Sequence, residues 1–240
     1  MLRAVTLQTS ALDTGNLAWM YRLLAAHYDA VEYERFTTDL MEKDWVILLL
    51  DPEGTIQGFT TFMSYGIEHP TKNTPLRILY SGDTIIDRRH WGSQALAFEW
   101  IRHAGREKAQ YPQVPLFWFL ISKGPRTYRY LSAFSRQYWP HHARRTPYDV
   151  SELMHALAVE RFGPYYRPEQ GVVHFPVSRG QLRRELAGVD TTERRRPEVD
   201  FFLRTNPGYV RGDELVCLTE LVPTNLKPLS RRIFERGCTS

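Results

Sequence analysis

The chain has 240 residues, 42% hydrophobic and 24% charged, a composition that supports a sizeable core and excludes a disordered or fibrous protein. A net charge of +4 is too small for a dedicated nucleic-acid binder and suits an anionic small ligand, so nucleic acid is not an expected partner. No apolar run reaches the ~18 residues of a membrane span and the opening MLRAVTLQTS carries no secretory pattern, so the expected location is cytoplasmic.

The opening LRAVTLQ alternates apolar and polar residues and predicts an edge strand, followed by a turn at Asp13-Thr14-Gly15-Asn16. A helix is expected next, since Leu17, Met20, Tyr21, Leu24 and Tyr28 recur at three- and four-residue spacing. Phe36, Leu40 and Met41 predict a second helix over 32–43. WVILLLD, the turn formers Pro52-Glu53-Gly54 and IQGFTTFMSYGIE predict two antiparallel strands, and PLRILYSGDTIID a third. The run 94–110 predicts a helix with Ala95, Phe98 and Ile101 on its apolar stripe. PLFWFLIS, apolar without alternation, predicts a strand covered on both faces. Tyr130, Phe134 and Tyr138 predict a helix over 126–139 that Pro140 stops. Beyond Pro147 the expected elements are helices over 151–162, 179–186 and 229–236 and strands over 171–177, 199–204 and 214–221, with a charged, mobile loop at 191–197.

This order of elements resembles the Gcn5-related N-acetyltransferase (GNAT) superfamily over about residues 1–140. The hairpin WVILLLDPEGTIQGF is similar to the family's second and third strands, and GDTIIDRRHWGSQAL to its fourth strand and phosphate loop. The resemblance implies an α/β (α+β) fold, a mixed, largely antiparallel central sheet flanked by helices. Residues 1–147 would form the acyltransferase core. Residues 148–240 would be a C-terminal α/β extension that completes the sheet and shapes the acceptor site, or that provides a homodimer surface. The implied donor is acetyl-CoA or a longer acyl-CoA, with acyl-carrier protein as the other carrier. The implied acceptor is a small-molecule or peptide amine.

The family binds the CoA pyrophosphate on backbone N–H groups of a loop that opens a helix, where unpaired donors and the positive end of the dipole meet an anion. In this chain that implies Arg89, Trp91, Gly92, Ser93, Gln94 and Ala95, with Gln94 standing where Gly or Ala is usual. A strand N–H at Ile85 or Ile86 would hold the thioester carbonyl. By the family's spacing Tyr130, seven residues after Lys123, is the acid for the leaving thiolate, with Tyr128 as the other choice. An amine must lose a proton before it attacks, and Asp83 is the candidate base beside Glu68 and His90. The implied activity is acyl transfer by direct attack on a thioester. A non-catalytic binding or protein-interaction module of the same fold is the other reading. Cys217 and Cys238, with no CxxC and no ligand-spaced histidine, read as free thiols, and no metal site is expected. His141-His142 with Arg144-Arg145 reads as a surface loop, because adjacent histidines share no helical face.

Overall fold

The structure, a computed structural model, describes residues 2–239. Its first part runs β1 (Arg3–Gln8), α1 (Thr14–His27), β2 (Tyr28–Asp29), α2 (Tyr33–Met41), β3 (Trp45–Leu50), β4 (Ile56–Glu68), β5 (Pro75–Ile86), α3 (Ala95–Gln110), β6 (Leu116–Ser122) and α4 (Pro125–Phe134). There follow α5 (Tyr148–Phe162), β7 (Tyr166–Arg167), β8 (Val172–Val173), β9 (Gln181–Leu182), α6 (Arg184–Ala187), α7 (Thr191–Arg194), α8 (Pro197–Thr205), β10 (Glu214–Glu220) and α9 (Pro228–Cys238).

Eight strands form one sheet in the order β1-β3-β4-β5-β6-β10-β8-β7. Its one parallel step is β5 to β6, and such a step needs a crossover, which α3 supplies. One face is covered by α3, α4, α8 and α9 over Phe62, Leu79, Trp118 and Leu120. The other carries α1 and α2 over Val46, Leu48 and Phe59, and farther along α5 over Ile78, Tyr80 and Phe119. β6 lies between β5 and β10 with side chains buried on both faces, which is why its sequence is apolar without alternation. This is the mixed, largely antiparallel central sheet flanked by helices that the resemblance implies.

The first 122 residues follow the expected elements closely, and the differences lie later. The helix expected over 126–139 stops at Phe134. From Ser135 the chain runs extended, and the Trp139 amide bonds to Leu218 O at 2.8 Å. Tyr138 is therefore buried from an extended segment rather than from a helix face. The strand expected at 199–204 is α8, where Pro197 opens the first turn beside Glu198 and Asp200 and buries Val199 and Phe202, three residues apart. The segment expected as a helix over 179–186 first pairs as β9 with β2 and only then turns into α6. The strand expected over 171–177 forms ladder at Val172–Val173 alone, and 191–197 holds the short helix α7.

α3 and α9 touch backbone to backbone. A Cβ on Gly105 would lie 2.1 Å from Phe234 O, and one on Gly237 would lie 2.0 Å from Arg102 O. Gly105 is tolerated in mid-helix, where alanine would otherwise be favoured by about 1 kcal/mol, because only a bare backbone lets the helices come this close. Gly105→Ala and Gly237→Ala are each expected to lower unfolding stability by about 1–3 kcal/mol in urea titrations. Gly188→Ala, with no atom within 4 Å of the added carbon, should be near neutral.

Candidate functional site

β5 and β6 are hydrogen-bonded only from Arg77↔Leu116 to Ser81↔Leu120. Both strands continue beyond, β5 to Ile86 and β6 to Ser122, so they part and open a cleft through the sheet. The cleft has a half on each face. Tyr28, Thr84 and Thr127 border both halves.

The half on the α3 side encloses about 770 Å³. Its floor is the end of β5 and the loop into α3, its wall is α4, and its roof is formed by residues 182–198 of the C-terminal part. Gln94, at the N-cap of α3, makes no side-chain cap bond, and the first turn carries no acidic side chain. Among the first amides only that of Ala95 reaches a side chain, Ser93 Oγ at 3.4 Å, so the helix N-terminus presents donors to the cleft. A Cβ on Gly92 would meet nothing within 4 Å; the space above the loop is open to a ligand. Phe98, Pro125, Ala133, Leu182 and Leu186 supply apolar walls. An anion on an apolar stem, the build of a phosphopantetheine carrier such as CoA, fits these residues.

The Asp87 amide donates to Gln57 O at 2.8 Å, and Ile85 is the register partner of Phe59. Alternation in an antiparallel ladder then turns the Ile85 amide toward β4 and leaves the Thr84 and Ile86 amides on the edge that β6 has vacated. Between Thr60↔Thr84 and Phe62↔Ser81 the register shifts, so Gly82 and Asp83 together face Thr61 in a β-bulge. A Cβ on Gly82 would lie 2.5 Å from Thr61 Oγ1. The bulge re-phases the strand. Ser81 bonds to Trp118 on the α3 side at 2.8 Å, while Asp83 points into the other half of the cleft.

That half, about 810 Å³ between α2 and α5, holds a cluster of charges. Lys123 Nζ lies 3.5 Å from Glu214 Oε1, both largely buried, and 5.5 Å above the Tyr28 ring. Burial pushes the Asp83 carboxyl up; Lys123 opposes this and Asp39 adds to it. Glu214 is also raised by burial, against Lys123. Burial works to lower Lys123, but Glu214 and Asp83 outweigh it and keep the ammonium charged. The Tyr28 phenol is pushed up to about 12 by burial, with Lys123 opposing and both carboxyls adding. Among the described residues neither the Asp83 carboxylate nor the Tyr28 hydroxyl has a hydrogen-bond partner. Two carboxylates face the Lys123 ammonium, and the neighbouring Lys43 is already matched by Asp39 at 3.1 Å, so the cluster can accept one more positive charge.

Of the residues singled out in the sequence, Ile85, Ile86, Trp91, Gly92, Ser93, Gln94 and Tyr130 border the α3-side half and Asp83 the other. Arg89 does not join them: its guanidinium is held by Asp87 at 3.0 and 3.1 Å, facing solvent. Ala95 is turned onto the core. Glu68 is exposed where β4 pairs with Pro75, at the opposite end of β5 from the bulge. His90 sits in the turn Arg88–His90 and does not line the cleft. Tyr128 is fully buried and donates to Pro140 O at 2.7 Å, so its proton is committed to structure. Tyr130 lines the cleft, with its ring 5.6 Å from Phe134.

No family model and no curated protein matches the sequence. Solved structures are similar in part. A conserved Enterococcus faecalis protein of unknown function is 13% identical over 57% of this chain and 33% of its own, with a TM-score of 0.42. This chain thus spans about a third of that protein's length. A GNAT family N-acetyltransferase from Escherichia coli in complex with CoA is 18% identical over 62% of this chain and 79% of its own, TM-score 0.38. A Trypanosoma brucei acetyltransferase is 17% identical over 61% and 98%, TM-score 0.36.

The raised carboxyl of Asp83 has a consequence for stability. The folded state holds that proton more tightly than the unfolded chain, so the contribution is present below the unfolded pKa and lost as pH rises through the folded value. Asp83→Asn leaves Lys123 matched by Glu214 and removes an unpartnered buried charge. Its Tm at neutral pH is expected to equal or exceed that of the parent, with the difference vanishing in acid; a clear drop at neutral pH would contradict this placement.

Proposed function

We propose that this protein transfers an acyl group from acyl-CoA to an amine. The observation that carries the reading is the cleft itself: an uncapped helix N-terminus in one half, a charge cluster short of one cation in the other, and a free strand edge between them. CoA supplies the acyl group as a thioester. Gly92, Ser93 and Gln94 with the first turn of α3 would hold its phosphates, and Phe98, Pro125 and Ala133 its stem. The Ile86 amide, on the free edge of β5, would donate to the thioester carbonyl. Residues 148–240 close the acceptor half through Glu214 and Arg161 and roof the donor half.

The acceptor enters as an ammonium, drawn to Asp83 and Glu214. Asp83 takes its proton, and the freed amine forms the N–C bond as the C–S bond breaks. The departing sulfur needs a proton where the two halves meet. Tyr28 borders both halves and keeps its proton at neutral pH; Tyr130 borders the donor half only. We therefore assign the acid role to Tyr28 and a lining role to Tyr130; the second N–H proton, lost from the nitrogen as the amide forms, restores the phenol by way of solvent, and the proton on Asp83 passes to bulk water.

Calorimetric titration with CoA, acetyl-CoA and longer acyl-CoAs tests the donor half. Saturable binding is expected, and Gly92→Val should weaken it at least about tenfold with an unchanged Tm, because the position is open. Failure of every one of these ligands to bind would sink the proposal. In the acylation assay Tyr28→Phe is expected to lower kcat by about 10²-fold at unchanged KM, while Tyr130→Phe keeps most of its turnover. The acid limb of kcat/KM should lie above the ordinary aspartate range and vanish in Asp83→Asn.

A further inference from the structure

We infer that the acceptor is an elongated amine carrying a second cationic nitrogen, a diamine or polyamine rather than a monoamine or an amino acid. This rests on the acyl-transfer reading above and names its substrate class. The protein as a whole carries +4, yet the acceptor half is lined by seven carboxylates and four cations. Such segregation against the net charge sets the local potential that an incoming ligand meets.

Most of these charges already have partners. Glu32 lies 3.7 Å from Arg35, Asp39 3.1 Å from Lys43, Glu42 3.3 Å from Arg161 and Glu214 3.5 Å from Lys123. The carboxylates left without an ion-pair partner among the described residues are Glu34 on α2, Asp83 on β5 and Glu160 on α5. They come from three separate elements and converge on one space. Asp83 is deep, at the junction with the donor half. Glu34 and Glu160 are exposed at the rim, on opposite walls. On the α2 wall Glu34, Thr38 and Glu42 follow at four-residue spacing, an acidic and polar stripe about 12 Å long at 1.5 Å rise per residue. A ligand with one nitrogen at Asp83 and another at the rim would meet unpaired carboxylates at both ends.

An acceptor bearing its own carboxylate finds less. The Arg161 guanidinium is paired with Glu42 and lies 3.9 Å from the Tyr80 ring centroid, and that of Arg179 lies 4.1 Å from the ring of Phe175. Arg179 has no carboxylate partner among the described residues, so one unpaired cation stands against the three unpaired carboxylates. The floor they rest on, with Tyr65 and Phe162, is aromatic and suits methylene segments and ammonium groups.

The test compares butylamine, 1,4-diaminobutane, a linear triamine and glycine as acceptors with acetyl-CoA. KM is expected to fall from butylamine to the diamine and triamine at low ionic strength, and the difference to shrink in salt. Glu34→Gln and Glu160→Gln should each raise KM for the diamine about two- to fivefold, leaving kcat and the butylamine KM unchanged. Equal KM values for butylamine and the diamine, or a lower KM for glycine, would overturn the inference while leaving acyl transfer intact. Should no amine be acylated, titration of the full chain with the same amines decides the matter. Triamine binding that is tighter than butylamine and weakened in Glu160→Gln would support the acidic cleft as a polycation site; indistinguishable binding would overturn it.

Discussion

The parting of β5 and β6 after Ser81 and Leu120 is the constraint on which the rest of the cleft depends. A parallel pair must be joined by a crossover, here α3, and the crossover helix starts where the strand it leaves has lost its neighbour. Three consequences follow from that coincidence. The donors of the α3 N-terminus face the gap instead of a strand. The amides of Thr84 and Ile86 keep an unpaired edge. The gap also joins the two faces of the sheet, so that a ligand held on one can meet a ligand held on the other. Each of these is a backbone property, so the donors at the start of α3 do not depend on which side chain stands at Gln94.

The bulge at Gly82 and Asp83 is the second constraint, and it opposes stability. Without it Asp83 would fall on the same face as Ser81 and enter the core around Trp118. With it, a carboxylate is held beside Glu214 and Lys123 in a largely buried space that adjoins the Lys43–Asp39 pair, an arrangement in which burial disfavours ionisation of both acids. A fold selected for stability alone would replace such a cluster by apolar side chains. A charge-rich spot at a strand bulge beside an open cleft is where a site that handles protons and cations is expected.

Local pattern reveals the elements in this sequence but not their long-range pairings. The hairpin around Pro52-Glu53-Gly54, the crossover helix and the buried run LFWFLIS are visible because each is set by its own periodicity or turn residues. The loop residues 91–94 and Asp83, which line the cleft, are visible through the order of those elements. Tyr28 is masked, because it continues the three- and four-residue spacing of Leu17, Met20 and Leu24 and so reads as a helix face; the chain in fact leaves the helix at His27. Glu214 carries no local signal at all, since its partner Lys123 is 91 residues away. α8 misleads for the opposite reason: Val199, Phe201 and Phe202 have strand-like composition, and only Pro197 and the acidic first turn mark the helix.

The C-terminal part is therefore bound into the site. Its strand β10 pairs with β6 over Leu215↔Ser122 to Glu220↔Phe117, which fixes Glu214 at the point where β6 ends and Lys123 begins. Its strand β9 pairs with Tyr28 and Asp29, which fixes the backbone of the phenol that borders both halves. Gly180, at φ +107, brings that segment in beneath Lys123, where an added Cβ would lie 3.1 Å from Val31 and 3.7 Å from Lys123 Nζ. Loss of the β9 pairing would free the backbone of Tyr28, whereas β10 is an interior strand, and loss of its pairing with β6 would break the sheet itself. The α3-side half thus takes its floor and wall from the first part of the chain and its roof from residues 182–198, while the other half sets Glu214 and Arg161 beside Asp83 and Lys123, so both halves of the cleft depend on completion of the whole fold.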